Sequence, residues 1–287
     1  MDRKWKLAFL AGLGYTQQTE DEVIASLAGI GYEGIEWTTV HFNPERPLAE
    51  LRELVEKTQA AGLGVSRIMA HEDLVCLDDD ERERRIARTA ATIEAAGACG
   101  LHTVGTMTGP APWDPNAPRV GQNISESAAW EMVFDAYERL GNTARDAGVV
   151  ISSEGVFGMV AHDFYTHRYL LDQLPADVHQ INLDPSHGLL YGNLDVGWVV
   201  RQWGDRIAHV HLKDAVGVPA MGKFVFPLLG EGNVDWNAFF GALDEIDYRG
   251  FCSVEFESFA YLERVLKGDA EAAARLSFEQ VAILLGT

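Results

Sequence analysis

Short apolar runs alternate along the chain with longer stretches in which apolar residues recur every three or four positions. The runs are centred near residues 8, 35, 67, 104, 151, 182, 209 and 254 and are rich in Val and Ile. Runs this short and continuous predict strands buried on both faces, as in a parallel sheet. Between them Val23, Leu27 and Ile30 repeat at helical spacing, as do Leu48, Leu51, Leu54 and Val55, and then Ala129, Met132, Val133, Ala136 and Leu140. These stretches predict amphipathic helices. Glycines at Gly31, Gly62, Gly100, Gly148 and Gly250 stand just before a run, where a helix that stops needs a left-handed cap. Each interval holds one helix and its loops, so the pattern is eight βα units. The expected fold class is α/β, a single (β/α)8 TIM barrel forming one domain over residues 1–287. A doubly wound sheet fits less well, because no G-x-G-x-x-G follows the first strand. Two long segments, Thr108 to Asn123 and Ala215 to Trp236, follow strand ends and belong on the C-terminal face of such a barrel.

The 287 residues suffice to bury a full barrel core. With 23 Lys+Arg against 43 Asp+Glu, the net charge is −20. That balance opposes a phosphate-backbone partner, so neither nucleic acid nor an anionic membrane surface is expected. Met1-Asp2-Arg3-Lys4 before an apolar run has the outline of a secretory leader. However, Asp2 and Trp5 interrupt it and no small-residue cleavage site follows, so Leu7 to Leu10 is read as a first strand. No apolar run reaches the length of a membrane span. Three scattered cysteines, Cys76, Cys99 and Cys252, make no CxxC pair, which suits a reducing cytoplasm better than a disulfide framework.

Chemistry gathers at the ends of four consecutive predicted strands. Glu154 follows Val149 to Ser153, Asp184 and His187 follow Asn182-Leu183, His209 and His211 lie in His209-Val210-His211-Leu212-Lys213-Asp214, and Glu255 follows Val254. Neighbouring barrel strands end around one cup, so Glu154, Asp184, His211 and Glu255 can meet around one cation. Three carboxylates and an imidazole make an oxygen-rich set suited to Mn²⁺ first, with Mg²⁺ or Co²⁺ as alternatives. Without a cation, three such carboxylates repel or hold protons. His209 and His211 share one face of their strand, with His209 one layer deeper as a supporting residue behind the ligands. Glu255 and Glu257 present the same choice, and layer depth, together with the family pattern described below, favours Glu255 as the ligand and leaves Glu257 in support.

Glu154, Asp184-x-x-His187, His209-x-His211-x-Lys213-Asp214, Gly230-x-Gly232-x-x-Asp235-Trp236 and Val254-Glu255 together resemble the xylose isomerase-like TIM-barrel superfamily. Within it the pattern is similar to the sugar phosphate isomerase/epimerase group, which includes ketose 3-epimerases, inosose dehydratases and isomerases. The resemblance implies a divalent metal on Glu154, Asp184, His211 and Glu255. It also implies that the two glutamates act as an acid/base pair on opposite faces of the substrate carbon. One departure stands out: those epimerases place an Arg shortly after the His-x-His strand, where this chain has Lys213-Asp214 and a long segment.

The expected activity is a metal-dependent isomerase or epimerase of a sugar, keto-sugar or cyclitol. It removes a proton α to a carbonyl and passes through a metal-stabilised enediolate. A lyase or dehydratase on a keto-sugar or keto-glycoside shares that intermediate and is the nearest alternative. An abasic-site endonuclease-like hydrolase and a non-catalytic subunit fit less well. The remaining candidates carry two readings each. His187 is a substrate or electrophilic group, or a satisfied core histidine. His71 touches substrate or is structural, and Glu36 bonds inside the cup or simply ends a strand. Lys213 holds a substrate hydroxyl or phosphate, or pairs with an acid. Trp113 stacks on a sugar face or anchors its own loop. Gly230-Glu231-Gly232 is a turn before a helix and a weak phosphate signal. A homo-oligomer is compatible with all of these readings.

Overall fold

The computed structural model describes residues 3–70 and 72–286. Strands β1 (Lys6–Leu10), β2 (Gly34–Thr38), β3 (Gly64–Met69), β4 (Thr103–Met107), β5 (Val150–Glu154), β6 (His179–Leu183) and β7 (Ile207–Leu212) belong to one sheet. A small antiparallel hairpin of β8 (Val216–Gly217) and β9 (Phe224–Val225) comes next, and β10 (Phe251–Val254) completes the sheet. The sheet closes in the order β1-β10-β7-β6-β5-β4-β3-β2, with every neighbouring pair parallel. This is the (β/α)8 barrel that the eight-run pattern predicts.

The helices are α1 (Ala11–Gly14), α2 (Glu20–Ile30), α3 (Pro47–Ala60), α4 (Asp79–Ala98), α5 (Glu126–Ala147), α6 (Phe164–Leu171), α7 (Pro185–Leu190), α8 (Val196–Trp203), α9 (Trp236–Glu245), α10 (Phe259–Arg264) and α11 (Ala270–Leu285). Their starts follow from side-chain caps: Thr19 and Glu22 form a reciprocal capping box at α2, and Ser125 caps α5. Gly31 and Gly148 end α2 and α5 in the left-handed conformation, with φ 113° and 66°. Before β10 that conformation falls to Asp247 instead of Gly250.

The outer face of the barrel wall is mostly apolar, with Thr106 and Ser153 bonded to Tyr137 and His167 of the helices outside it. Phe9, Ile35, Trp37, Ile68, Val104, Ile151, Val210 and Cys252 are all buried, on the strand face opposite the polar residues that point inward. Among the described residues no helix is long and apolar enough to cross a membrane.

Of the two long segments, Thr108 to Asn123 has no regular strand or helix, while the second carries the β8–β9 hairpin. The base of the second is tied by Asp214, which is wholly buried. Its Oδ1 accepts from the amides of Ala215 and Val234 at 2.9 and 3.0 Å. Its Oδ2 accepts from Gly230 and Gly232 amides at 3.1 Å and from Trp236 Nε1 at 3.0 Å. The amides of the Gly-x-Gly turn are therefore spent on a carboxylate, which leaves no phosphate cradle there. A Cβ on Gly232 would stand 2.1 Å from Asp214 Oδ1, so this close approach requires glycine.

Candidate metal and acid/base centre

Register brings the polar residues together on the inner face. Glu36 pairs across to Arg67, Glu154 to Asn182, Asn182 to His209, and His211 to Ser253. The structure brings Glu154, Asp184, His211 and Glu255 into one buried group whose candidate donor atoms all lie within 4.8 Å of one another. His211 Nδ1 lies 2.9 Å from Glu255 Oε2 and 3.3 Å from Glu154 Oε2. Asp184 does two things. It caps α7 through Oδ1, which accepts from the Ser186 amide at 2.7 Å, and it turns Oδ2 into the cup. Asp184 Oδ2 and His211 Nδ1 are buried without a properly aligned hydrogen bond. Two such atoms facing two further carboxylates form a donor set that fits a hard divalent cation.

Lys213 reaches the same group from just beyond β7. Its ammonium lies 2.7 Å from Glu255 Oε2, 2.9 Å from Glu257 Oε2, 3.0 Å from Asp184 Oδ2 and 3.1 Å from His187 Nε2. Phe226 lies under it, with the ammonium 4.7 Å from the ring centroid. His187, on α7, also places Nε2 3.5 Å from both Glu154 Oε1 and Asp184 Oδ2. Glu257 thus meets Lys213 rather than the four-residue group. Trp113 is 52% exposed and touches the site only indirectly, through Phe157 at 6.0 Å between rings, and Phe157 stacks on His187 at 5.7 Å. His71 lies outside the described residues.

Burial and charge oppose each other throughout. Burial pushes the Glu154 carboxyl up, but His211, His187 and Lys213 outweigh it and hold the group well below the usual range. Burial acts likewise on Glu255, and Lys213 with His211 brings it down to about 2. At Asp184 and Glu257 burial wins over Lys213, so both are raised. Burial would lower Lys213, yet Asp184, Glu255 and Glu257 keep it well above its ordinary value. The cup therefore holds ionised glutamates and an ammonium out of water.

Two residues that the sequence reading did not select form the floor. Asn182 donates Nδ2–H to Glu154 Oε2 at 2.8 Å and accepts from His209 Nδ1 at 2.9 Å. His209, pushed well below its ordinary value by burial, is neutral, so its Nε2 accepts from Ser253 Oγ at 3.1 Å. Arg67 lies wholly buried against Glu36, with Nε 2.8 Å and Nη2 2.5 Å from Oε1. The available signal was an Arg inside an apolar strand run, which must find a carboxylate when buried.

A family model described as xylose isomerase-like TIM barrel matches residues 24–279. The chain belongs to that family. Inosose dehydratase of Geobacillus kaustophilus is 24% identical over 269 residues, 88% of this chain and 84% of that protein. L-ribulose 3-epimerase of Methylomonas sp. is 27% identical over 251 residues, 83% of this chain and 78% of that protein. Among solved structures, an IolI protein with a bound zinc atom superimposes with a TM-score of 0.77 at 20% identity, over 98% of each chain. This xylose isomerase-like barrel thus has enzymes of two reaction types among its relatives, a dehydratase and an epimerase.

Proposed function

We propose that this chain is a divalent-cation-dependent isomerase or epimerase that takes a proton α to the carbonyl of a sugar, keto-sugar or cyclitol. The observation that carries the reading is the pair of buried atoms without an aligned hydrogen bond, Asp184 Oδ2 and His211 Nδ1, ringed with Glu154 and Glu255. These four residues would hold the cation, with Mn²⁺ the first choice and Mg²⁺ or Co²⁺ the alternatives. When bound, such a cation supplies a Lewis acid that draws charge from a carbonyl and its neighbouring hydroxyl.

The chain's own residues do the rest. Glu154 and Glu255, both ionised, are the bases. One takes the α-proton and the other, or the same group, returns it. Return to the adjacent carbon isomerises, and return to the opposite face epimerises. Lys213, with His187 beside it, offers ammonium N–H groups to substrate oxygens, Trp113 borders the cup through Phe157, and His71 is proposed as a further substrate contact. The dehydratase relative favours a second reading. After the same proton removal the C–H electron pair forms a C=C bond, the β C–O bond breaks, and the hydroxyl leaves as water with a proton from the Lys213 ammonium, passed directly or through His187 Nε2 at 3.1 Å.

Incubating the protein with Mn²⁺ in D₂O against ketoses, inososes and keto-glycosides tests both readings by proton NMR. Deuterium at an α-carbon with a rearranged product supports the first reading, and an enone-type product supports the second. Cation-loaded protein that exchanges no α-proton in the panel overturns both.

A further inference from the structure

We infer that Glu36 and Arg67 form a positioning pair that decides which nitrogen His211 offers to a cation. The inference rests on the cation reading above and adds two residues that reading does not use. His211 is wholly buried, and its Nε2 lies 3.0 and 3.2 Å from the two Glu36 oxygens. Arg67 Nη2 is 3.0 Å from the same nitrogen. Arg67 has donors only and cannot receive a proton from His211; its Nε is hydrogen-bonded to Glu36 Oε1, and its Nη2 faces both that oxygen and Nε2. Glu36 Oε2 is then the natural acceptor for an Nε2–H. A histidine that ligates a cation is neutral and keeps one N–H. With that proton on Nε2, the lone pair is on Nδ1, the nitrogen that faces Glu154 and Glu255.

Arg67 has a second effect. Glu36, His209 and His211 form another group with donor atoms within 4.8 Å of one another. The guanidinium lies against two of its three members and supplies the positive charge there, so the floor does not compete for a metal ion. Gly105 leaves the space, since a Cβ there would stand 2.7 Å from Arg67 Cζ. The barrel is accordingly built for one cation per chain, held above a fixed ion pair.

The probe is Zn²⁺, which is diamagnetic, added to the full-length ¹⁵N-labelled protein. Long-range ¹H–¹⁵N spectra should show His211 protonated at Nε2 and metal-shifted at Nδ1, and calorimetry should give one Zn²⁺ per chain. Glu36→Gln should weaken Zn²⁺ binding 10- to 100-fold. That variant leaves Arg67 unpaired, so the charge-balanced Glu36→Gln/Arg67→Met protein is measured beside it and should also bind at least 10-fold more weakly. Zn²⁺ on Nε2, or wild-type affinity in the folded double variant, overturns the positioning role. Wild-type protein that takes up no Zn²⁺ overturns the cation reading itself, and the two failures are thereby told apart.

Discussion

The two faces of the barrel wall follow different rules. The outer face packs Phe9, Ile35, Trp37, Val104, Ile151 and Val210 among the buried apolar residues of the core, where shape and volume decide the cost of a change. The inner face packs Glu36, Arg67, Asn182, His209 and His211 in the same depth of protein. There each change leaves a charge or a hydrogen bond without its partner. Side chains only one position apart, such as Glu36 and Trp37, therefore differ in what they stabilise: the outer one packs the core, the inner one holds a buried charge pair.

The largest effect comes from removing a donor above the floor. Asp184→Ala and His211→Ala should each weaken divalent-cation binding by about 10³-fold or more, read by calorimetry. Full metal content in both variants would remove the assignment. Next come matched breaks in the two faces. Trp37→Ala should cost about 3–5 kcal/mol in urea unfolding and leave cation affinity unchanged. Arg67→Met should cost a similar 3–5 kcal/mol, because Glu36 is left as an uncompensated buried charge, and should weaken cation binding too. Equal cation affinity in both variants would erase the distinction between the faces.

Smaller in free energy is the loss of one base. Glu154→Gln or Glu255→Gln should slow turnover by about 10²-fold. Glu257→Gln, which meets Lys213 alone among the site residues, should slow it less; if it is the most damaging of the three, Glu255 is not the acting base. The smallest effect belongs to the outer face. His167 donates to or accepts from Ser153 Oγ at 2.7 Å, and burial pushes it down to about 4. An unfolded histidine titrates near 6.5, so between that pH and 4 the unfolded chain binds the extra proton and stability falls as pH falls. Between pH 6.5 and 5 this amounts to about 1.5 kcal/mol. The pH slope of the unfolding free energy should flatten in His167→Gln, and an unchanged slope would show that His167 is not held neutral.

The barrel was legible because strands buried on both sides leave apolar runs, and helix ends before them carry glycine. The single-turn α1 and the two-residue strands β8 and β9 were not, since elements that short have no period to read. At the site, residues at strand ends stood out as polar breaks in apolar runs. Arg67 and Asn182 were harder to see, because each lies inside a run and its meaning depends on partners elsewhere in the chain. Arg67 needs Glu36, 31 positions away, and Asn182 needs Glu154, 28 positions away. Nothing in the linear order shows that Lys213 ties Asp184, Glu255 and Glu257 together, because those contacts exist only once the barrel closes.

Asp214 gives the segment after β7 a property of its own. Its carboxylate gathers donors from residue 215 on one side and from residues 230 to 236 on the other. The two ends of the intervening hairpin are thus sewn together at the barrel rim by one side chain next to Lys213. Residues 218 to 223, the tip of the hairpin, form a cassette: they can be lengthened, shortened or exchanged without displacing Phe226, whose ring lies against the ammonium. A barrel with that seam can change the outline of its mouth while the ammonium and the carboxylates beneath it stay where they are.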